Sequence, residues 1–158
     1  MAITIQNLFS ESRELIKTII NSNVIDPKTG YSDSKRRWIY REFPDTTSRD
    51  FEGYPVIVIK SPELDSDDPQ DLGGCLTDGS LNISIELYVE FNDTDARIDA
   101  MSNEVYATLR TMANRNKLLS NNFDLGNITA SPFDNQDEDG KRLSTRSFLI
   151  PFNSTLEG

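Results

Sequence analysis

Between Gly79 and Asp93 the chain alternates without a break. Leu81, Ile83, Ile85, Leu87, Val89 and Phe91 occupy every second position, and Asn82, Ser84, Glu86, Tyr88 and Glu90 fill the gaps. Successive side chains of a strand point to opposite faces. The segment therefore predicts a strand with one buried face and one polar face. A different period opens the chain. Ile5, Leu8, Phe9, Leu15, Ile16, Ile19 and Ile20 fall on one helical stripe, interrupted at Ser12. Thr4 is the expected N-cap, and an Asn-rich end followed by DPKTG is the expected stop. Steps of three and four recur at Ile98, Met101, Val105, Leu109 and Met112. They predict a second helix capped by Asp93 or Thr94, with Arg110, Arg115 and Lys117 near its negative end.

The remaining apolar positions predict strands. RRWIYREF, rich in aromatic and β-branched residues and closed by Pro44, is one. YPVIVIK, Tyr54–Lys60, is another and is apolar on both faces. FDLGNITASPF is a weak strand, and RLSTRSFLIPFNS returns with Phe148, Ile150 and Phe152 on one face. Two polar stretches separate these blocks. Residues 61–80 are acidic, broken by Pro and Gly, and predict a long loop carrying Glu63, Asp65, Asp67, Asp68 and Asp71. Residues 134–141 predict a hairpin tip carrying Asp134, Asp137, Glu138 and Asp139. The resulting order is α-β-β-loop-β-α-β-β. It implies an α+β fold, with two amphipathic helices packed on one face of a mostly antiparallel or mixed sheet. At 158 residues, one domain spanning 1–158 accounts for the whole pattern.

Composition narrows the function more by exclusion than by signal. Net charge is −10, which argues against a dedicated nucleic-acid binder, because counterion release needs clustered cations. Asp exceeds Glu and Arg exceeds Lys, a lean shared with proteins of high-salt sources. No apolar run reaches the ~18 residues that a membrane helix needs, and the first fifteen residues lack a signal-peptide pattern. Synthesis in the cytoplasm is the expectation. Histidine is absent, which removes the commonest general base and metal ligand. The single cysteine, Cys75, lies among acids that disfavour its thiolate. Asn135, Asp137, Asp139 and Gly140 begin like a calcium loop, but its twelfth position, where a bidentate glutamate belongs, is Arg146. No catalytic residue, metal or cofactor is expected.

In pattern and order the sequence resembles the tail terminator (tail completion) proteins of long-tailed phages and related archaeal viruses. The resemblance rests on the opening helix IQNLFSESRELIKTII and on WIYREFPDTTSRDFEGYPVIVI, where an aromatic strand turns through Phe43–Pro44 into a second strand. It continues through the long alternating strand into DTDARIDAMSNEVYATL, and ends in RSFLIPF. The resemblance implies a virion subunit that forms a ring, six-membered in that family, on the head-proximal end of the tail tube. Its partners would be copies of itself, the major tail tube protein and the neck or adaptor proteins, with DNA passing through unbound and no membrane involved. Glu86, Tyr88 and Glu90 would then face a neighbouring subunit or the channel, and the acidic loops would be assembly elements. The alternatives are a head-side neck or adaptor ring component and, from a different class, a carboxylate-dependent enzyme or cation-binding module.

Overall fold

A single pair of long strands organises the molecule. In the computed structural model, which describes residues 7–65, 76–90, 95–121, 123–132, 134–138 and 141–157, β4 (Leu76–Glu90) and β8 (Lys141–Glu157) pair antiparallel over fifteen residues. Short strands flank this spine. On the free edge of β4 lie β2 (Val56–Ile59) and β3 (Glu63–Asp65). On the free edge of β8 lie β5 (Phe123–Leu125), β6 (Thr129–Ala130) and β7 (Asp134–Glu138). β1 (Ile39–Tyr40) pairs with β2 in the one parallel ladder among the described residues. The main path across the sheet is β1-β2-β4-β8-β5. The fold is α+β with a mixed, mostly antiparallel sheet, as the alternating pattern implied.

Among the described residues three helices, not two, cover one face. α1 (Leu8–Asn23) buries Leu8, Ile16, Ile19 and Ile20, while Phe9, placed on the same stripe by spacing, is 48% exposed. Ser12, the interruption in that stripe, is buried and satisfies itself by donating to the Leu8 carbonyl. The Thr4 cap falls outside the described residues; Asn7 precedes the first helical residue. α2 (Asp95–Arg110) buries Ile98, Met101, Val105 and Leu109. The expected continuation through Met112 breaks at Thr111, whose extended backbone (φ −62°, ψ 145°) starts α3 (Met112–Leu119). Thr111 Oγ1 donates to the Thr108 carbonyl, and the buried Asn114 side chain donates to that carbonyl at 2.7 Å and to Thr111 Oγ1 at 2.9 Å. These bonds satisfy the groups freed at the bend. Met112 is left 78% exposed.

Two other expectations change. The segment 61–80 is not one loop, because β3 and the first five residues of β4 fall inside it. Likewise the hairpin tip 134–141 shrinks, because Asp134–Glu138 pair with Lys141–Thr145 as β7. Acid-rich composition misleads in both places, since pairing with a long neighbouring strand overrides a weak intrinsic strand propensity. RRWIYREF contributes only two strand residues.

The helix-facing side of the sheet is continuous and apolar. Leu81, Ile83, Ile85, Leu87 and Val89 of β4 are each at most 1% exposed and join Ile57 and Ile59 of β2 with Phe148, Ile150 and Phe152 of β8. Each such side chain contributes on the order of 1.5–3 kcal/mol. Val56 and Val58 point the other way, into a second and smaller cluster with Tyr54, Tyr88 and Leu143. The partly buried Tyr40, Phe43 and Phe51 roof it. YPVIVI is apolar on both faces because both faces are covered.

Candidate assembly surfaces

The roof of the second cluster, residues 41–53, is an irregular flap with a polar anchor. Asp26 is wholly buried and meets the Arg36 guanidinium in a two-point fork, Nε to Oδ2 at 2.8 Å and Nη2 to Oδ1 at 2.9 Å. Arg36 then donates to the carbonyls of Gly53 and Pro55, each at 2.9 Å. Ser34 Oγ and the Lys28 amide complete the carboxylate's partners. Burial alone would raise the Asp26 pKa. The Arg36 bonds, followed by those from the Lys28 amide and Ser34, outweigh it and hold the carboxyl below the usual aspartate range. Gly30 (φ +82°) closes the turn after Asp26 by donating to its carbonyl. Gly53 (φ +88°) lets the chain pass Lys28, whose Nζ lies 2.5 Å from where a Cβ would sit.

Beneath the flap, Phe43 meets Tyr88 edge-on with ring centroids 4.9 Å apart, and Phe51 meets Tyr54 likewise at 5.3 Å. Tyr88 is 6% exposed and donates to Glu86 Oε2 at 2.8 Å. Sequence reading placed Tyr88 toward a neighbouring subunit or the channel; in this structure the chain's own Phe43 covers its ring. Lys60 Nζ lies 2.8 Å from Glu86 Oε1. The flap also bounds a hollow of about 300 Å³ walled by Tyr40, Phe43, Pro44 and Phe51. Arg37 and Arg41 line its strand side, and Glu42, Asp45 and Asp50 its loop side. Burial raises the Tyr40 phenol pKa, and the nearby Arg37 only partly opposes this.

Beyond the flap, the described residues of the outer sheet face are partly exposed. Register places Ser84 opposite Leu149 and Glu86 opposite Ser147; Leu149 is 45% exposed. The spine also runs past its flanking strands. Among the described residues, β3 reaches Ser80 and β5 reaches Ser154, so Leu76–Asp78 and Thr155–Glu157 pair with each other and with no other described strand.

The acidic residues singled out by sequence scatter across these surfaces. Glu63 and Asp65 lie on β3, Asp134, Asp137 and Glu138 on β7, and Glu86, Tyr88 and Glu90 on the outer face of β4. Asp67, Asp68, Asp71 and Asp139 lie outside the described residues. The backbone through Asn135 and Asp137 is a paired strand and does not wrap as a calcium loop must. Arg146 sits 3.3 Å from Asp99 of α2. Among the described residues no three His, Cys, Asp or Glu side chains converge as metal ligands, and no helix is long and apolar enough to cross a membrane. Sequence reading passed over Asp26, Arg36 and Phe51, and took Phe43 as the end of a strand and a turn, not as a cover for the second cluster. The available signal was the doubly apolar YPVIVI strand, which requires a second cover. Compared with known proteins, the chain matches no family and no characterised relative.

Proposed function

We propose that this chain is a virion assembly subunit of tail-terminator type. Copies close into a ring, six-membered by resemblance, at the head-proximal end of a tail tube. The ring ends tube polymerisation and presents a face to the neck proteins, while DNA passes without being bound. One observation carries the reading toward assembly: among the described residues, the spine outreaches the elements that flank it. Fifteen strand residues span about 50 Å, whereas the sixteen-residue helices α1 and α2 span about 24 Å. Among the described residues the Leu76–Asp78 end has β8 as its one paired strand, and a pair of strands gains stability by lying against further surface, which a neighbouring copy supplies. The family-level detail comes from the order of sequence features, from the Phe43–Pro44 turn to the long strand that leads into α2. Negative-stain microscopy and light scattering of the purified chain test the proposal. Closed rings, alone or capping tail tubes, are the expected result. A strict monomer at high concentration that leaves tubes uncapped would overturn it.

A further inference from the structure

We infer that neighbouring copies join head to tail, with the α2–α3 corner of one seated in the flap hollow of the next. The inference rests on the ring reading and names its interface. The corner is convex, apolar at its tip and basic around it. Met112 is 78% exposed, Leu119 50% and Tyr106 44%, while Leu109 and Leu118 on either side are wholly buried and hold the corner to the core. The extended residue Thr111 and its bonded partner Asn114 fix the bend that displays Met112. From Val105 to Phe123 the chain carries Arg110, Arg115 and Lys117 and no carboxylate, in a protein of net charge −10.

The hollow complements the apolar tip, and the flap side of its rim complements the charge. Its walls are Tyr40, Phe43 and Phe51. A thioether adapts its shape to such a pocket and makes favourable contacts with aromatic rings. Arg37 and Arg41 line the hollow's strand side, while the flap on the other side, residues 42–52, holds Glu42, Asp45, Asp50 and Glu52 against one cation, Arg49, and offers the acidic rim to the basic corner. Complementary charge of this kind fixes register and speeds encounter.

Position in the sheet completes the argument. α3 packs beside β5, at one end of the strand order, on the helix face. The hollow adjoins β1, at the other end, on the opposite face. A knob on one edge and its socket on the other cannot satisfy each other within one chain. Between copies they make a heterologous contact that repeats, and it closes into a ring when the rotation allows.

Two measurements on the full chain test this. Met112→Asp should melt like the wild type and lose the ring. Separately, a Met112→Cys chain and a Ser48→Cys chain, both in a Cys75→Ser background, are mixed under mild oxidation; the mixture should give a 48–112 disulfide-linked pair that neither gives alone. Wild-type rings with intact Met112→Asp rings and no 48–112 link would overturn the docking and leave the ring reading standing. A dominant 112–112 link would overturn it too, by showing an isologous contact. A wild type that never assembles and never cross-links would remove both. Should Met112→Asp misfold, the cross-link decides.

Discussion

The two faces of the sheet are closed in different ways. On the helix face, twenty-three buried side chains among the described residues, drawn from all three helices, the spine, its flanking strands β1, β2 and β5, and Val24 and Trp38, form one cluster. On the other, five buried residues lie beneath an irregular flap that the Asp26–Arg36 fork ties down. The first is held by apolar area, which is non-directional and tolerates small shifts. The second depends on a few directed bonds and on aromatic edges, so it is local and easier to disturb. Stability should reside in the first and adaptable surface in the second.

The sharpest test substitutes adjacent residues of β4 that point to opposite faces. Ile85 is 0% exposed among the helices, whereas Ser84 lies on the outer face and is only half-buried. An unpaired carboxylate in an apolar core costs several kcal/mol, a large part of the 5–15 kcal/mol that holds a domain together. Ile85→Asp should therefore fail to give a cooperative melt by circular dichroism. Ser84→Asp should stay within about 0.5 kcal/mol of wild type. Equal damage from both would mean that the outer face is as sealed as the inner one.

Next in size is the anchor of the flap. Asp26→Ala leaves Arg36 buried without its counter-charge, a loss of about 3–5 kcal/mol in comparable pairs. Because the folded carboxyl titrates below its unfolded value, its contribution is full above about pH 4 and is lost as pH falls through the lowered folded pKa. Urea unfolding from pH 7 to pH 3 should show a weaker acid-side decline in Asp26→Ala than in the wild type. A parallel decline in both proteins would mean that Asp26 is not held ionised by Arg36.

A smaller effect is expected at the roof. Phe43 is only partly buried, and its edge contact with Tyr88 contributes about 0.5–1.5 kcal/mol beyond area. Phe43→Ala should cost about 1–2 kcal/mol. It should alter the near-ultraviolet tyrosine signal and leave the fluorescence of Trp38, buried with the helix-face cluster, unchanged. A shift in the Trp38 emission would show that the two clusters respond as one.

The same division governs what the sequence made legible. The helix face could be read because its periods, two in Leu81–Val89 and three or four in Ile98–Leu109, are the geometric repeats of strand and helix. The bend at Thr111 was hidden because Met112 falls in phase with α2 and yet points to solvent. β7 was hidden because DNQDE has turn-like composition, and only its pairing with β8 makes it a strand. The flap has no period at all. Its aromatics are placed by the pairing of Asp26 with Arg36, ten residues apart, and by Gly53, whose need for positive φ no spacing announces. The proposed socket and corner were equally invisible, since neither exists until the sheet sets its two edges apart.

The smallest effect probes where the flap's cover ends. Lys60 and Glu86 pair at 2.8 Å just beyond the roof, with side chains 57% and 19% exposed. Glu86 is more enclosed because Tyr88, under Phe43, donates to its other oxygen. A half-solvated pair is worth about 0.2–1 kcal/mol, and Glu86→Gln keeps an acceptor for the Tyr88 hydroxyl. A double-mutant cycle of Lys60→Met with Glu86→Gln should therefore return a coupling of about 0.5 kcal/mol. It should fade as the screening length shrinks from roughly 10 Å at 0.1 M salt to 3 Å at 1 M. A coupling that ignored salt would place the pair in a dry environment. The outer face would then be closed past the flap, and less of it would be open for a neighbouring copy.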